Sequence, residues 1–175
     1  MKILRVPRNN RSSKLTVLTA AVALLFGIVV HGRATAADAT YIFNVESAKT
    51  ADPDTGNVVH MAGAGQFNVT VGTVRATGSF TLFSSTDEVL ARGTWRATDF
   101  VDFVSLGGPN RGIQNGVLHI NVTLFPNGST PIVGVLMGVI CPPNEGPGEG
   151  VTLIVPGGPS FNVPTSGFTT FSLHQ

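Results

Sequence analysis

The sequence predicts an all-β protein: a single antiparallel β-barrel or β-sandwich of about eight to ten short strands, preceded by a cleavable signal peptide. Three observations lead to this prediction. Apolar and polar residues alternate with a period of two through most of the chain after residue 36. Gly, Pro and Asn interrupt the alternation roughly every eight to twelve residues, as in antiparallel strands joined by tight turns. No segment of this region repeats its apolar residues with the period of a helix.

Residues 1–36 have the pattern of a signal peptide. A basic stretch precedes an apolar run from Leu15 to Val30, and Ala34–Ala36 supplies the small residues that a signal peptidase accepts. The apolar run is short and rich in Thr and Ala for a membrane span, although an uncleaved anchor helix is the alternative interpretation. We expect cleavage after Ala36, which leaves residues 37–175 as one exported domain in the periplasm or outside the cell.

The predicted mature domain is acidic. Six of the 11 Lys and Arg residues lie in the leader, so residues 37–175 carry five cations against ten carboxylates, a net charge of −5. Such a domain lacks the basic patch that phosphate neutralisation requires. We therefore expect no nucleic-acid partner, no binding to anionic membrane surfaces and no membrane span after cleavage.

The single cysteine, Cys141, cannot form an intramolecular disulfide. Because exported eukaryotic domains of this size often contain disulfides, its isolation favours a bacterial source. Cys141 ends an apolar run and precedes two prolines, which predicts a buried structural thiol; an intermolecular bridge or a nucleophile is the alternative.

Two neighbouring segments predict a β-hairpin. Phe67, Val69 and Val71 fall on one face of the first segment, and the second, Val74–Leu82, continues the alternation after a turn at Gly72–Thr73. These residues place an apolar face on each strand of the hairpin.

The following segment, from Val89, alternates small residues and Trp95 with Arg and Thr. Its large indole ring is expected to fill space that the small neighbours leave in the core. The alternation then slips by one residue at Asp99–Phe103, which predicts a bulge or a sharp bend.

The most regular strand pattern is Leu118–Leu124, followed by a turn at Pro126–Gly128. Residues Ile132–Cys141 are apolar on both faces, which predicts the most buried strand of the domain. Its second face needs a cover, either a packed segment of the same chain or a partner subunit in a homo-oligomer.

Further short strands are predicted at Ala39–Val45, Val58–Met61, Val151–Val155, near Phe161 and at Phe168–Leu173. One core is expected to unite the apolar faces. Its predicted members are Phe67, Val69, Phe80, Leu82, Trp95, Leu118, Ile120 and Val122.

Three arginines are the candidate ligand-binding residues. Arg92 and Arg96 share the polar face of one strand, and Arg75 lies on the polar face of the preceding strand. Several guanidinium groups beside Thr hydroxyls can hold a carboxylate, a sulfate or an acidic sugar. The alternative is an ordinary solvent-facing sheet surface, where Arg and Thr are common.

No catalytic, metal or cofactor motif is identified. Asp52–Asn57 spaces two carboxylates like a calcium loop but lacks the further oxygen ligands, so a turn is the preferred interpretation. The histidines after residue 36 have no zinc-ligand spacing, and no Gly-x-Ser-x-Gly elbow is present.

Two classes of function follow. The first is a non-catalytic exported domain that binds a small molecule, a glycan or another protein, or that serves structurally at the cell surface. The second is a small β-barrel enzyme, an isomerase, cyclase or hydrolase, in which Arg92 or Arg96 polarises an oxyanion and Asp99 or Asp102 acts as base. A deep pocket with a paired carboxylate would favour the enzyme.

Overall fold

The computed structural model describes residues 39–110, 112–143 and 148–174. The predicted signal peptide, residues 1–36, lies outside them. The described residues form strands and turns without a helix, and thus contain no helix of the length and apolarity needed to cross a membrane. The strands are β1 (Thr40–Ala51), β2 (Val58–Asn68), β3 (Thr73–Phe83), β4 (Val89–Asn110), β5 (Ile113–Pro126), β6 (Ile132–Cys141), β7 (Gly150–Ile154), β8 (Ser160–Phe161) and β9 (Val163–Leu173).

All nine strands belong to one antiparallel sheet, in the order β4-β3-β2-β1-β9-β5-β6-β7-β8. β4 also pairs with β5 along most of its length, so the sheet curls into a ring. The all-β prediction is therefore confirmed. The period-two alternation places one set of side chains inside the ring and the other set on its outer surface.

Seven of the eight predicted core residues lie in or against one core. Six of them are buried, and Leu82 is half-buried against that core. Val69 was predicted wrongly, because its side chain is 39% exposed. β2 ends at Asn68, so Val69 begins the turn that leads to Gly72 and no longer follows the alternation of the strand.

The bend predicted at Asp99–Phe103 is present within β4. The β4–β5 register shifts between Ala97 and Asp99 and again between Phe100 and Asp102. Because these bulges bend the strand without ending it, β4 extends over 22 residues.

One end of the ring is filled by aromatic rings. Phe67 lies at the centre of this group, with ring centroids 5.0 Å from Phe103, 5.2 Å from Tyr41 and 5.9 Å from Phe171. Such offset and edge-on pairs pack closely, so this end of the interior is closed.

The inner face of β6 is buried from Val135 to Cys141. The expectation that the whole strand is the most buried one is wrong at its start, where Val133 is 68% exposed. β7 pairs with β6 only from Leu136 to Ile140, so residues Ile132–Gly134 extend beyond the end of β7, although Ile132 still pairs with Leu124 of β5.

β9 pairs with β5 at only two positions. In the adjacent part of β9, bonds made by side chains connect this strand to β6 and to the segment before β7. The hydroxyl of buried Thr169 donates to the carbonyl oxygen of Ile140 at 2.6 Å, and the Thr169 N–H donates to a carboxylate oxygen of Glu149 at 2.7 Å. These bonds satisfy polar groups at a position where the backbone ladder is interrupted.

Candidate functional site

The interior contains an apolar cavity of about 250 Å³ at the end opposite the aromatic rings. It is bounded by the start of β2, β4 and β6 and by the end of β3, β5 and β7. All of its lining side chains are apolar, and they include Val59, Leu82, Ala91, Leu124, Val155 and Phe161. We call this feature the open-end cavity.

Side-chain size explains why this end is not filled. Ala91 on β4 lies opposite Leu82 on β3, whereas at the aromatic end Tyr41 on β1 lies opposite Phe67 on β2. Pro126 and Pro159 lie at the rim, where strands end and a missing backbone N–H costs little. The cavity therefore lies where Ala91 and aliphatic side chains occupy most of the inward positions, with Phe80 and Phe161 forming part of its wall.

The chemistry of the open-end cavity favours an apolar ligand. It offers no side-chain donor or acceptor that a polar ligand would need to replace its lost water. An apolar cavity of about 150 Å³ is enough to hold benzene, so the larger space here accommodates a small hydrocarbon ring or a short chain.

The structure brings together two of the three predicted arginines. Arg75 on β3 and Arg96 on β4 line the same surface depression on the outside of the ring. Arg92 is exposed on the same strand as Arg96 but does not line that depression, because it lies four residues earlier, opposite Thr81.

The residues of the enzyme hypothesis lie on the outer surface. Arg92 and Arg96 are exposed on the face of β4 opposite the buried Trp95. Asp99, further along the same strand, is also exposed. Asp102 is paired with His119, with 2.7 Å between its Oδ1 and the ring Nδ1, and both side chains are well exposed, at 54% and 36%. These groups surround no enclosed space that would exclude water from a reaction.

The Asp52–Asn57 segment forms the predicted turn. The side chain of Asp52, 2% exposed, accepts hydrogen bonds from the Asp54 N–H and the Thr55 hydroxyl, so its carboxylate organises the loop. Among the described residues, no group of three or more His, Cys, Asp or Glu is arranged to hold a metal ion.

Cys141 is buried, as the sequence predicts. Its Sγ lies 3.8 Å from Oδ1 of Asn115 on β5. Burial, together with the nearby Glu149 carboxylate, raises the pKa of the thiol, an effect that hydrogen bonds from Thr169 and Phe171 partly offset. The thiolate is therefore disfavoured, which is the opposite of what a nucleophile needs.

The open-end cavity was missed by sequence reasoning. Leu82 belongs to the predicted core and Leu124 ends the most regular strand pattern, but alternation indicates only that a residue points inward and not whether the space beside it is filled. The signal in the sequence was the size difference between Ala91 and the phenylalanines of the other end. This difference indicates an unfilled space only when the order of the strands around the ring is known. Comparison of the chain with protein-family models, with curated proteins and with solved structures finds no match.

Proposed function

We propose that this chain is an exported, non-catalytic β-barrel domain that binds a small apolar molecule in the open-end cavity. The observation that carries the proposal is the entirely apolar lining of that cavity at one end of the ring. Apolar cavities bind ligands by removing apolar surface from water, at about 25 cal/mol per Å².

A closed barrel is the architecture that best accounts for the cavity. The long β4–β5 ladder and the short β5–β9 ladder support closure into a barrel over a two-layer sandwich. Barrels of about eight strands have an interior that side chains fill or that holds one small ligand. Here side chains fill the interior at the aromatic end, and the open-end cavity is the part of the interior that can hold a small ligand.

The ligand class follows from size and chemistry. A space of about 250 Å³ accommodates a monocyclic hydrocarbon or the end of a longer apolar chain. The rim position of Pro126 and Pro159 allows a longer ligand to continue into solvent. A glycan is a poor fit to this cavity, because its hydroxyl groups would find no partners there.

The experiment is a titration of the full chain with toluene and with 1-hexanol, followed by methyl NMR signals of Leu82, Leu124 and Val155. We expect saturable shifts of these methyl groups. Ala91→Leu places a larger side chain in the cavity and is expected to abolish the shifts. Ser79→Leu places a leucine on the exposed outer face of β3, away from the lining of this cavity, and is the control.

Two outcomes contradict the proposal. Absence of saturable shifts with both probes would leave a structural role at the cell surface as the better interpretation. Equal binding by the wild-type protein and Ala91→Leu would show that the probes bind elsewhere. The thermal midpoint of each variant establishes that the fold is retained.

Export rests on the basic and apolar segments before Ala37. Mass spectrometry of the protein recovered outside the cytoplasm is expected to find an N-terminus near Ala37. An intact Met1 in the membrane fraction would contradict export with cleavage and would favour the anchor helix.

A further inference from the structure

Strands β3 and β4 separate beyond the residue pair Thr77 and Arg96. Their ladder ends at this pair, although β3 begins four residues earlier, at Thr73. β4 continues past Ala97, where its bulged pairing with β5 bends it away from the line of the ladder. Residues Thr73–Ala76 therefore lie along a stretch of β3 that has no β4 partner.

A depression of about 390 Å³ occupies this separation. Arg75 and Arg96 contribute to it from the two diverging strands, and Thr77 adds a hydroxyl. The remaining surface is apolar and mostly small, including Ala76 and Ala97, so the space is left open by short side chains. We call this feature the β3–β4 depression.

The two guanidinium groups have no counter-charge in the described part of the chain. Both side chains are exposed, and neither forms an ion pair or a side-chain hydrogen bond with another described residue. No Asp or Glu lines the β3–β4 depression or the neighbouring depressions beside Arg75 and Arg96. This is a local cationic site in a predicted mature domain of net charge −5.

We propose that the β3–β4 depression binds a small organic anion, whose carboxylate or sulfate group lies between Arg75 and Arg96. Guanidinium groups donate paired hydrogen bonds to such oxyanions, and two cations that line one depression can hold an oxyanion more strongly than one. The alanine surface then supports the carbon skeleton of the ligand. An acidic monosaccharide has both features and the right size.

This site is separate from the open-end cavity. The β3–β4 depression opens on the outer surface and is polar at its edges, whereas the open-end cavity lies inside the ring and is apolar. Binding at one does not require binding at the other, so each proposal is tested independently.

The test uses amide NMR of the full chain with three probes: D-glucuronate, N-acetylglucosamine 6-sulfate and uncharged D-glucose. We expect saturable shifts at Ala76, Thr77 and Ala97 with at least one of the anions and none with glucose. Arg75→Gln and Arg96→Gln are each expected to weaken the dissociation constant at least about tenfold, since each removes a charged donor.

Arg92→Gln is the matched control. It makes the same change of charge on the same exposed face of β4, outside the depression, and is expected to change the dissociation constant by less than about twofold. An equal loss in all three variants would overturn the proposal in favour of general charge attraction. No saturable shift with either anion would overturn it outright. A response to only one anion supports the site and identifies the oxyanion it recognises.

Discussion

The indole N–H of Trp95 donates a hydrogen bond to the carbonyl oxygen of Ala62, 3.1 Å away. Trp95 belongs to β4 and Ala62 to β2, so the bond spans the intervening strand β3. The indole ring reaches that far because it lies over Gly78 of β3 and Gly63 of β2, which are paired with each other. Three strands are thus joined by one buried side chain.

The first prediction concerns Gly78. A β-carbon at this position would overlap the carbonyl oxygen of Ala62 and would lie 2.6 Å from Cε2 of Trp95. Gly78→Ala should therefore lower the free energy of unfolding by about 1–3 kcal/mol, the usual cost of overpacking a core. Urea denaturation measures the change.

Gly112→Ala is the control for Gly78, because the added methyl group would meet no atom within 4 Å. If both variants had the stability of the wild-type protein, the indole ring would not lie against β3 as described.

The second prediction concerns the joint between β9 and β6. Thr169→Val keeps the shape of the side chain but removes its hydrogen bond to the Ile140 carbonyl oxygen, in a position that is 1% exposed. We expect the free energy of unfolding to fall by about 1–3 kcal/mol, because a buried acceptor loses its donor.

Thr165, on the same strand, donates to the carbonyl oxygen of Lys49 but is exposed. Water replaces that bond, so Thr165→Val should change the free energy of unfolding by less than about 0.5 kcal/mol. Equal effects of the two substitutions would mean that burial does not govern the contribution of these hydroxyls.

The third prediction concerns the reactivity of Cys141. Its thiol is buried and its pKa is raised, so few reactive thiolates are present and reagents have little access to them. At pH 8 the folded protein should react with iodoacetamide at least about tenfold more slowly than the protein in urea. Labelling as fast as that of free glutathione would contradict the buried position.

The fourth prediction concerns pH. Burial lowers the pKa of His60 below its ordinary value of 6.5, the nearby Lys49 lowers it further, and Asp87 partly opposes them. The unfolded chain therefore binds a proton at a higher pH than the folded chain does. This part of the stability is present above pH 6.5 and is lost as the pH falls below it.

Replacing His60 with Gln should make the thermal midpoint less sensitive to pH between pH 7.5 and 5. His174→Gln is the control, because that histidine is exposed near the C-terminus. The attribution to His60 fails if its variant and the wild-type protein lose stability in parallel.

The sequence was informative wherever the property was local to a strand. Alternation identified the inward positions of Phe80 and Trp95 and the outward positions of the arginines, because successive residues of a strand must point to opposite faces. The same rule failed at Val69, since the strand ends one residue earlier and alternation does not locate the end of a strand to within a residue.

The partners of a side chain across the sheet could not be predicted in this way. Trp95 was expected to occupy space left by small residues of its own strand, whereas its ring lies over Gly78 and Gly63 of two other strands. Strand order and register decide such contacts, and both depend on long-range pairing that a local pattern does not contain.

By itself, the sequence determined that the domain is all-β, that its predicted mature form is acidic, and which side chains face inward within the strands, because composition and the two-residue period are properties of the chain alone. Only the tertiary structure decided that Arg75 and Arg96 share a depression while Arg92 lies apart, and that a cavity remains beside Ala91. The physical reason is that the bulges of β4 and the curl of the sheet set the distances between strands, and those distances determine which spaces are filled.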